Sequence, residues 1–320
     1  MVSGRRRPTP VEQLLLRERD KWYRDAMRKL TPRPVSTFSI VVRDPETGDL
    51  GIATASKFLA VGAVVPYAAA GVGAVATQAH ANTSFGPRAI AGLRSNIPLA
   101  QIHAAFEATD HDHPVRQYGM VDAGGNSLSF TGNECLDWAG GRKGEGYAVQ
   151  GNLLAGPQVV EEAVAGYEMA HDQRFPERLL AALRAGDEAG GDRRGRQSAA
   201  LLVVRENGGY GGFNDRLIDL RADDHDRPVG ELERLLDIHR LYFDPPREED
   251  VLAIEGDVLV RVQDVLVRSG YLSAARQVWD EESATALGRL AGTENLEERL
   301  FDDARIDRIA LEYLEGKAGA

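Results

Sequence analysis

The sequence predicts an α+β fold with two stacked antiparallel sheets between two helical layers. Two observations carry this. First, tight turns join apolar runs: Arg43-Asp-Pro-Glu-Thr-Gly48 links the run opening at Ser36 to Leu50-Gly-Ile-Ala-Thr-Ala-Ser56, and Ala123-Gly-Gly125 links residues 118–122 to 126–131. Turns this short force antiparallel pairing and argue against a parallel doubly wound sheet. Second, strands and helices come in blocks: strands, two helices, strands, two helices, strands.

Taken in order, residues 1–10 are basic and proline-containing and read as a tail. Residues 11–30 space Leu14, Leu15, Trp22, Met27 and Leu30 as one amphipathic helix, ended by Thr31-Pro-Arg-Pro34. The main domain is expected over residues 36–228, preceded by an N-terminal extension over 1–35. Its first hairpin is 36–42 with 50–56, and Gly71-Val-Gly-Ala-Val-Ala-Thr77 reads as a buried strand. Helices are predicted over 87–93 and 99–109, and a short strand over 147–152. Helices over 157–170 and 176–186 each open with Pro at a first helical position. Strands over 198–205 and 217–221 follow. Residues 229–320 are poor in Gly, rich in charge and helically periodic. They predict a small all-α domain with helices at 229–242, 258–269, 281–290 and 296–314.

Bulk properties narrow the function. A net charge of −11 disfavours a general nucleic-acid binder, which needs clustered Lys and Arg. The single cysteine, Cys135, excludes an intrachain disulfide and a Cys-based zinc site. No apolar run reaches the length of a membrane helix. Arg5-Arg-Arg7 is followed by Pro8-Thr-Pro10 and a charged stretch rather than an apolar signal core, so the expected location is cytoplasmic.

Several residues are candidates for chemistry. A Thr at the free start of a hairpin can act as a self-sufficient nucleophile, its own amine serving as base; Thr37 holds that position. Taken alone it reads as a plain β-branched strand residue, and the residue that shifts this reading is Lys57. Lys57, at the end of the second strand, is expected within reach of Thr37, where a cation would lower the pKa of a free α-amine. Gln78 and Asn82, around His80, end a buried strand and suit either a site or a helix cap. Gln150-Gly-Asn152 at a strand end can present a backbone N–H and the Asn152 amide to an oxyanion, or form a turn. The loop Gly190-Gly-Asp-Arg-Arg-Gly-Arg-Gln-Ser198 reads as solvated, yet its end brings Gln197 and Ser198 to a sheet edge. His111-Asp-His113 reads as a surface pair after a helix, without a third metal ligand. Cys135, beside Leu136 and Trp138, reads as core.

In their order, these segments resemble a known family. They are Thr37-Phe-Ser-Ile-Val-Val-Arg-Asp-Pro-Glu-Thr-Gly48, Ala55-Ser-Lys-Phe-Leu-Ala-Val-Gly62, Gly71–Gln78, Arg116-Gln-Tyr-Gly-Met-Val-Asp122, Phe130-Thr-Gly132, Trp138-Ala-Gly140, Gln150-Gly-Asn152, Gly191–Leu201 and Tyr210-Gly-Gly-Phe-Asn-Asp-Arg216. They are similar to the uncharacterised family 1028 of the domain-of-unknown-function series, grouped with the N-terminal-nucleophile (Ntn) hydrolases. The likeness spans about residues 36–243. Val262–Leu272 and Trp279–Leu287 resemble a peptidoglycan-binding module.

The resemblance implies the Ntn αββα sandwich with Thr37 as nucleophile. By analogy, Asn152 lies in the oxyanion region, Asp192 and Ser198 lie near the Thr37 amine, and Lys57 is the nearby cation. Gln78, Asn82, Arg116 and Gln197 are the expected substrate contacts. The implied reaction is hydrolysis of a linear C–N amide bond, with no cofactor and no metal, after cleavage before Thr37. The alternative is a non-catalytic binding protein that keeps its extension. Expected partners are a small-molecule amide and a second copy of the chain; for the helical domain a structural or oligomerisation role is preferred, with cell-wall glycan binding as the alternative. Nucleic acid and membrane are not expected partners. Two departures from the family pattern stand out: 36 residues precede Thr37, and Gly141-Arg142 stands where a His is expected.

Overall fold

The computed structural model describes Val35 and residues 37–319. The predicted helix at 11–30 and Ser36 lie outside the described residues. The chain divides into two compact units, one up to Leu232 and one from Glu233.

The first unit is a mixed α+β structure with antiparallel sheets. Its strands are β1 (Thr37–Arg43), β2 (Leu50–Ser56), β3 (Pro66–Ala69), β4 (Gly73–Ala79), β5 (Arg116–Asp122), β6 (Ser127–Thr131), β7 (Gly140–Gly144), β8 (Tyr147–Gly151), β9 (Ser198–Val204) and β10 (Arg216–Ala222). They form a six-stranded sheet in the order β10-β9-β2-β1-β8-β7 and a four-stranded sheet in the order β3-β4-β5-β6. The first hairpin closes through Asp44, whose carboxylate accepts the Thr47 hydroxyl at 2.6 Å. Arg205, just past the end of β9, grips Asp49 with two hydrogen bonds, 2.9 and 2.6 Å.

Alternation along β1 decides what meets what. Phe38, Ile40 and Val42 face one way. Toward them lie α3 (Gln158–Met169) and α4 (Phe175–Glu188), packed on each other and on β1, β2 and β8. The approach is close: a Cβ on Gly51 would lie 2.4 Å from a Leu179 methyl. Thr37, Ser39 and Val41 face the four-stranded sheet. Between the sheets, Val41, Leu50, Ile52, Leu202 and Val204 share one apolar cluster with Ala74, Ala76 and Val121. The four-stranded sheet carries α1 (Phe85–Arg94) and α2 (Leu99–Thr109) on its other face, through Val75, Phe85, Phe106, Tyr118 and Met120.

Two strands of this unit are not legible in the sequence. β7 reads Gly-Gly-Arg-Lys-Gly, an exposed edge strand without an apolar pattern. β3 opens on Pro66, which reads as a loop signal but is tolerated at a strand start.

The second unit corrects the all-α expectation. α6 (Gly256–Arg268), α7 (Glu281–Glu294) and α8 (Arg308–Ala318) enclose an apolar core with the end of α5 (Pro228–Phe243). A two-stranded antiparallel pair, β11 (Val251–Ala253) with β12 (Arg305–Asp307), accompanies them. The helix predicted over 296–314 is therefore a short turn at Glu297–Arg299, then β12, then α8. The reason is Asp307. Its carboxylate caps α8 by accepting the Ile309 N–H at 2.7 Å and also pairs with the buried Arg299 guanidinium. A continuous helix would separate those groups.

Among the described residues, no helix is long and apolar enough to cross a membrane.

Candidate active site

Thr37 begins β1 on the inner face of the six-stranded sheet and is fully buried. Register places it opposite Ser56, and Ser56 opposite Ser198, so three hydroxyl residues lie in one row across β1, β2 and β9. The Thr37 hydroxyl donates to Ser56 Oγ at 3.1 Å. Ser198 turns its hydroxyl to the Phe58 carbonyl and accepts the Val61 N–H at 3.0 Å. It thereby pins the turn after β2 rather than touching Thr37.

Lys57 is not the residue facing Thr37. One step past Ser56, strand alternation carries its side chain away; it is exposed, and its ammonium donates to the Arg196 carbonyl at 3.0 Å. Its backbone N–H donates to Asp192 at 3.0 Å. Asp192 is buried and also accepts from Arg194 Nε at 3.0 Å and Nη2 at 2.7 Å. The carboxylate thus ties the 190–197 loop to the end of β2. Gln197 joins this edge through its backbone, its N–H donating to the Ser56 carbonyl at 3.1 Å. Its side chain turns outward to Asp224 at 3.1 Å.

Asn152 and Gln78 converge on Thr37 at its carbonyl oxygen. The Asn152 backbone N–H and Gln78 Nε2 each donate to it at 3.1 Å. Behind them the two sheets meet through buried amides. Gln78 Nε2 donates to Gln117 Oε1 at 2.8 Å, and Asn152 Nδ2 donates to the same oxygen at 2.9 Å. The Ser39 hydroxyl donates to Gln78 Oε1 at 2.6 Å and accepts from Gln150 Nε2 at 2.7 Å. Gln117 Nε2 donates to the Thr131 hydroxyl at 2.9 Å and the Gly151 carbonyl at 2.7 Å. Ser39, Gln78, Gln117, Gln150 and Asn152 are all buried, so one end of the inter-sheet layer is polar and uncharged while the other is apolar. Gln150 Oε1 is buried without a hydrogen-bond partner. Gly119 makes its room, since a Cβ there would sit 2.1 Å from that oxygen.

The other expected contacts form a second group. Arg116 Nε donates to Asp110 at 2.9 Å, and Asn82 Nδ2 donates to the same carboxylate oxygen at 2.9 Å. Burial alone would raise the Asp110 pKa, but the hydrogen bonds from Arg116 and Asn82 outweigh it and hold the carboxyl below its ordinary value. Both side chains are engaged in bracing the chain around the end of β4. There, Val35 forms an antiparallel bridge with Ala79, its N–H donating to the Ala79 carbonyl at 2.6 Å and its carbonyl accepting the Ala79 N–H at 3.0 Å.

His113, expected on the surface, is buried. It stacks on Phe130 at 4.3 Å between ring centroids and shares the Tyr118 hydroxyl with His103, at 3.0 and 2.7 Å. Burial, then the neighbouring His103, push its pKa down. Among the described residues no group of three or more His, Cys, Asp or Glu could hold a metal ion. Burial pushes the Cys135 thiol up to about 11, so it is protonated at neutral pH and a poor nucleophile.

The residues the sequence reading missed are Ser56, Ser39, Gln117 and Thr131. Gln117 carried a legible signal, an amide next to the apolar run Tyr118–Val121 and facing Gln78. Ser56 had one too, since counting back from the turn pairs it with Thr37.

Comparison with known proteins adds the following. Residues 37–232 match the family model described as "Family of unknown function (DUF1028)". Residues 242–314 match the model described as "Putative peptidoglycan binding domain". A solved structure is similar: the crystal structure of protein SPO2555 from Silicibacter pomeroyi, itself assigned to the DUF1028 model. It is 31% identical, the match covers 70% of this chain and 92% of that one, and the TM-score is 0.58. No curated protein matches.

Proposed function

Since this chain belongs to the family of unknown function DUF1028 over residues 37–232, we propose that its first unit is an N-terminal-nucleophile amidohydrolase of αββα architecture. It acts on a linear C–N amide bond once Thr37 has become the first residue. The observation that supports this most is a hairpin-initial Thr whose hydroxyl meets Ser56 at the polar end of the inter-sheet layer.

In this reading the free Thr37 amine, with a pKa of about 7.7–8.0 before any shift, takes the proton of the Thr37 hydroxyl. The oxygen bonds to the substrate carbonyl carbon, the C–N bond breaks, and the departing nitrogen takes the proton. Water then adds to the acyl carbon, releases a carboxylic acid and restores the hydroxyl. Ser56 orients the nucleophile, and Asn152 with neighbouring backbone N–H groups supplies donors to the oxyanion. Gln78 and Gln117 hold that end of the layer in register.

Intact-mass measurement together with an amide-hydrolysis panel tests the reading. The expected result is a mature chain beginning at Thr37 that turns over an amide, and loses this with Thr37→Ala. A purified chain that retains residues 1–36 and still hydrolyses amides overturns it.

A second reading has its own support. In the uncut chain Thr37 is fully buried and Val35 is paired to Ala79, which suits a binding protein that keeps its extension and has no basic amine in the site. A chain that keeps its extension and turns over nothing in the panel favours this one.

For the second unit we propose binding to cell-wall glycan, on the strength of the match over residues 242–314. Co-sedimentation with purified peptidoglycan tests it, and recovery only in the supernatant removes it.

A further inference from the structure

The slot that Val35 fills has the geometry of a peptide-binding subsite. β4 is paired on one flank by β3, from Pro66 opposite Ala76 to Ala69 opposite Gly73. Beyond that ladder Thr77 N–H still reaches the Val65 carbonyl at 3.1 Å. One pairing position further along the same edge, at Ala79, the place of a strand partner is taken by Val35. Val35 makes both main-chain hydrogen bonds there, donating at 2.6 Å and accepting at 3.0 Å. Its side chain is 3% exposed and belongs to the apolar cluster of Val61, Val65 and Ala76, against which Phe58 and Ala81 also pack.

Ala79 is itself buried, so a chain cut before Thr37 and freed of Val35 leaves its N–H without that acceptor. A buried N–H of this kind is costly unless something else accepts from it. Ala79 has a φ of 63°, which turns β4 away after this residue and confines the slot to a single main-chain unit. Val35 stands two residues before Thr37 in the chain.

We infer that Val35 occupies the place of the substrate, and that the substrate class is a peptidyl or N-acyl-aminoacyl amide. Its residue second from the scissile carbonyl side pairs antiparallel with Ala79 and places a branched aliphatic side chain in the Val35 pocket. This inference rests on the amidohydrolase reading above for the reaction. The recognition itself is β-strand addition at a sheet edge: main-chain hydrogen bonds give affinity and the pocket gives selectivity.

The test uses the full chain with a protease site inserted between Ser36 and Thr37. It is cut after folding so that Thr37 becomes the first residue, and the released segment is removed. Two measurements follow. In the first, acetyl-Ala-Val-Ser amides are compared with the same amides carrying Gly in place of Val and with acetyl-Ser amides. The expected result is a fall in kcat/KM of about tenfold to a hundredfold for Gly, from the lost apolar contact, and a further fall for the truncated amide. In the second, binding of the peptide acetyl-Ala-Val-Ser is measured by calorimetry. It is expected with the cut chain and not with the uncut chain, whose slot Val35 fills.

Turnover that ignores the second residue overturns the subsite and leaves the amidohydrolase reading standing. Peptide binding to the cut chain alone, with no amide turned over, supports the subsite and removes the hydrolase reading. Equal binding to cut and uncut chains, or none to either, overturns the subsite.

Discussion

Thr37 and Ser56 face each other across the β1–β2 register, and the Thr37 hydroxyl spends its proton on Ser56 at 3.1 Å. The pair is buried, so the hydroxyl has a fixed direction. On the amidohydrolase reading, Thr37→Ala is expected to remove amide turnover entirely while changing stability by about 1 kcal/mol for the buried hydrogen bond it loses. On the same reading, Ser56→Ala keeps the proposed nucleophile and is expected to lower turnover without abolishing it. Steady-state rates and urea unfolding of both variants check this; a Thr37→Ala protein with undiminished turnover is the adverse result.

Gln117 accepts two side-chain amide donors, from Gln78 and Asn152, through one oxygen. Gln117→Leu keeps the volume and removes the acceptor. The expected cost is about 1–3 kcal/mol, the penalty of stranding buried donors. Chemical denaturation measures it, and a variant as stable as the parent would show that the amides find other partners.

Gly119 is expected not to tolerate a methyl group. Its Cβ would meet Gln150 Oε1 at 2.1 Å, and that oxygen sits on a side chain fixed by its donation to Ser39. Overpacking of this kind costs about 1–3 kcal/mol. Gln150→Ala in the Gly119→Ala background is expected to restore part of the loss; a double-mutant cycle with no coupling refutes the clash.

His113 gives the first unit a pH dependence of known sign. Its folded pKa lies below the unfolded value of about 6.5, through burial and then the charge of His103. Glu107 and Asp110 act in the opposite sense, and Arg116 adds to the lowering. The neutral form is thus favoured by folding. Its contribution is present above about pH 6.5 and is lost as pH falls from there toward the folded pKa. Urea midpoints at pH 7.5 and 5.5 are expected to differ less for His113→Phe than for the parent. His80, also lowered by burial and Arg116, keeps the same sign in both proteins.

Asp307 and Arg299 form a buried ion pair in the second unit, and Arg299 also donates to the Leu241 and Asp244 carbonyls at 2.8 and 2.7 Å. Asp307→Ala leaves the guanidinium buried without its counter-charge and uncaps α8. A loss of about 3–5 kcal/mol is expected, read as early unfolding of residues 233–320 by hydrogen exchange.

Much of the first unit was legible because strand alternation and short turns leave few choices. Arg43–Gly48 and Ala123–Gly125 each allow only a hairpin, so the β1–β2 and β5–β6 pairs follow from local chemistry. β7 was not legible, because an exposed edge of Gly, Arg and Lys buries nothing and leaves no pattern. The break before α8 was hidden as well. Residues 296–314 keep helical spacing, and the β11–β12 pairing, the Arg299–Asp307 ion pair and the Asp307 cap overrule it. Within the site, Thr37, Gln78 and Asn152 could be picked from sequence as polar groups at strand ends. Their meeting at the Thr37 carbonyl depends on two sheets brought face to face.

The hairpin that opens on Thr37, the antiparallel character of the sheets and the change of texture that separates the second unit are readable from the chain alone. These are local consequences of turn length, side-chain alternation and helical period. The tertiary structure alone brings Gln78, Gln117 and Asn152 into one buried amide group and pairs Val35 with Ala79. Each of those depends on contacts between strands far apart in the chain, and register and sheet stacking, not local propensity, set such contacts.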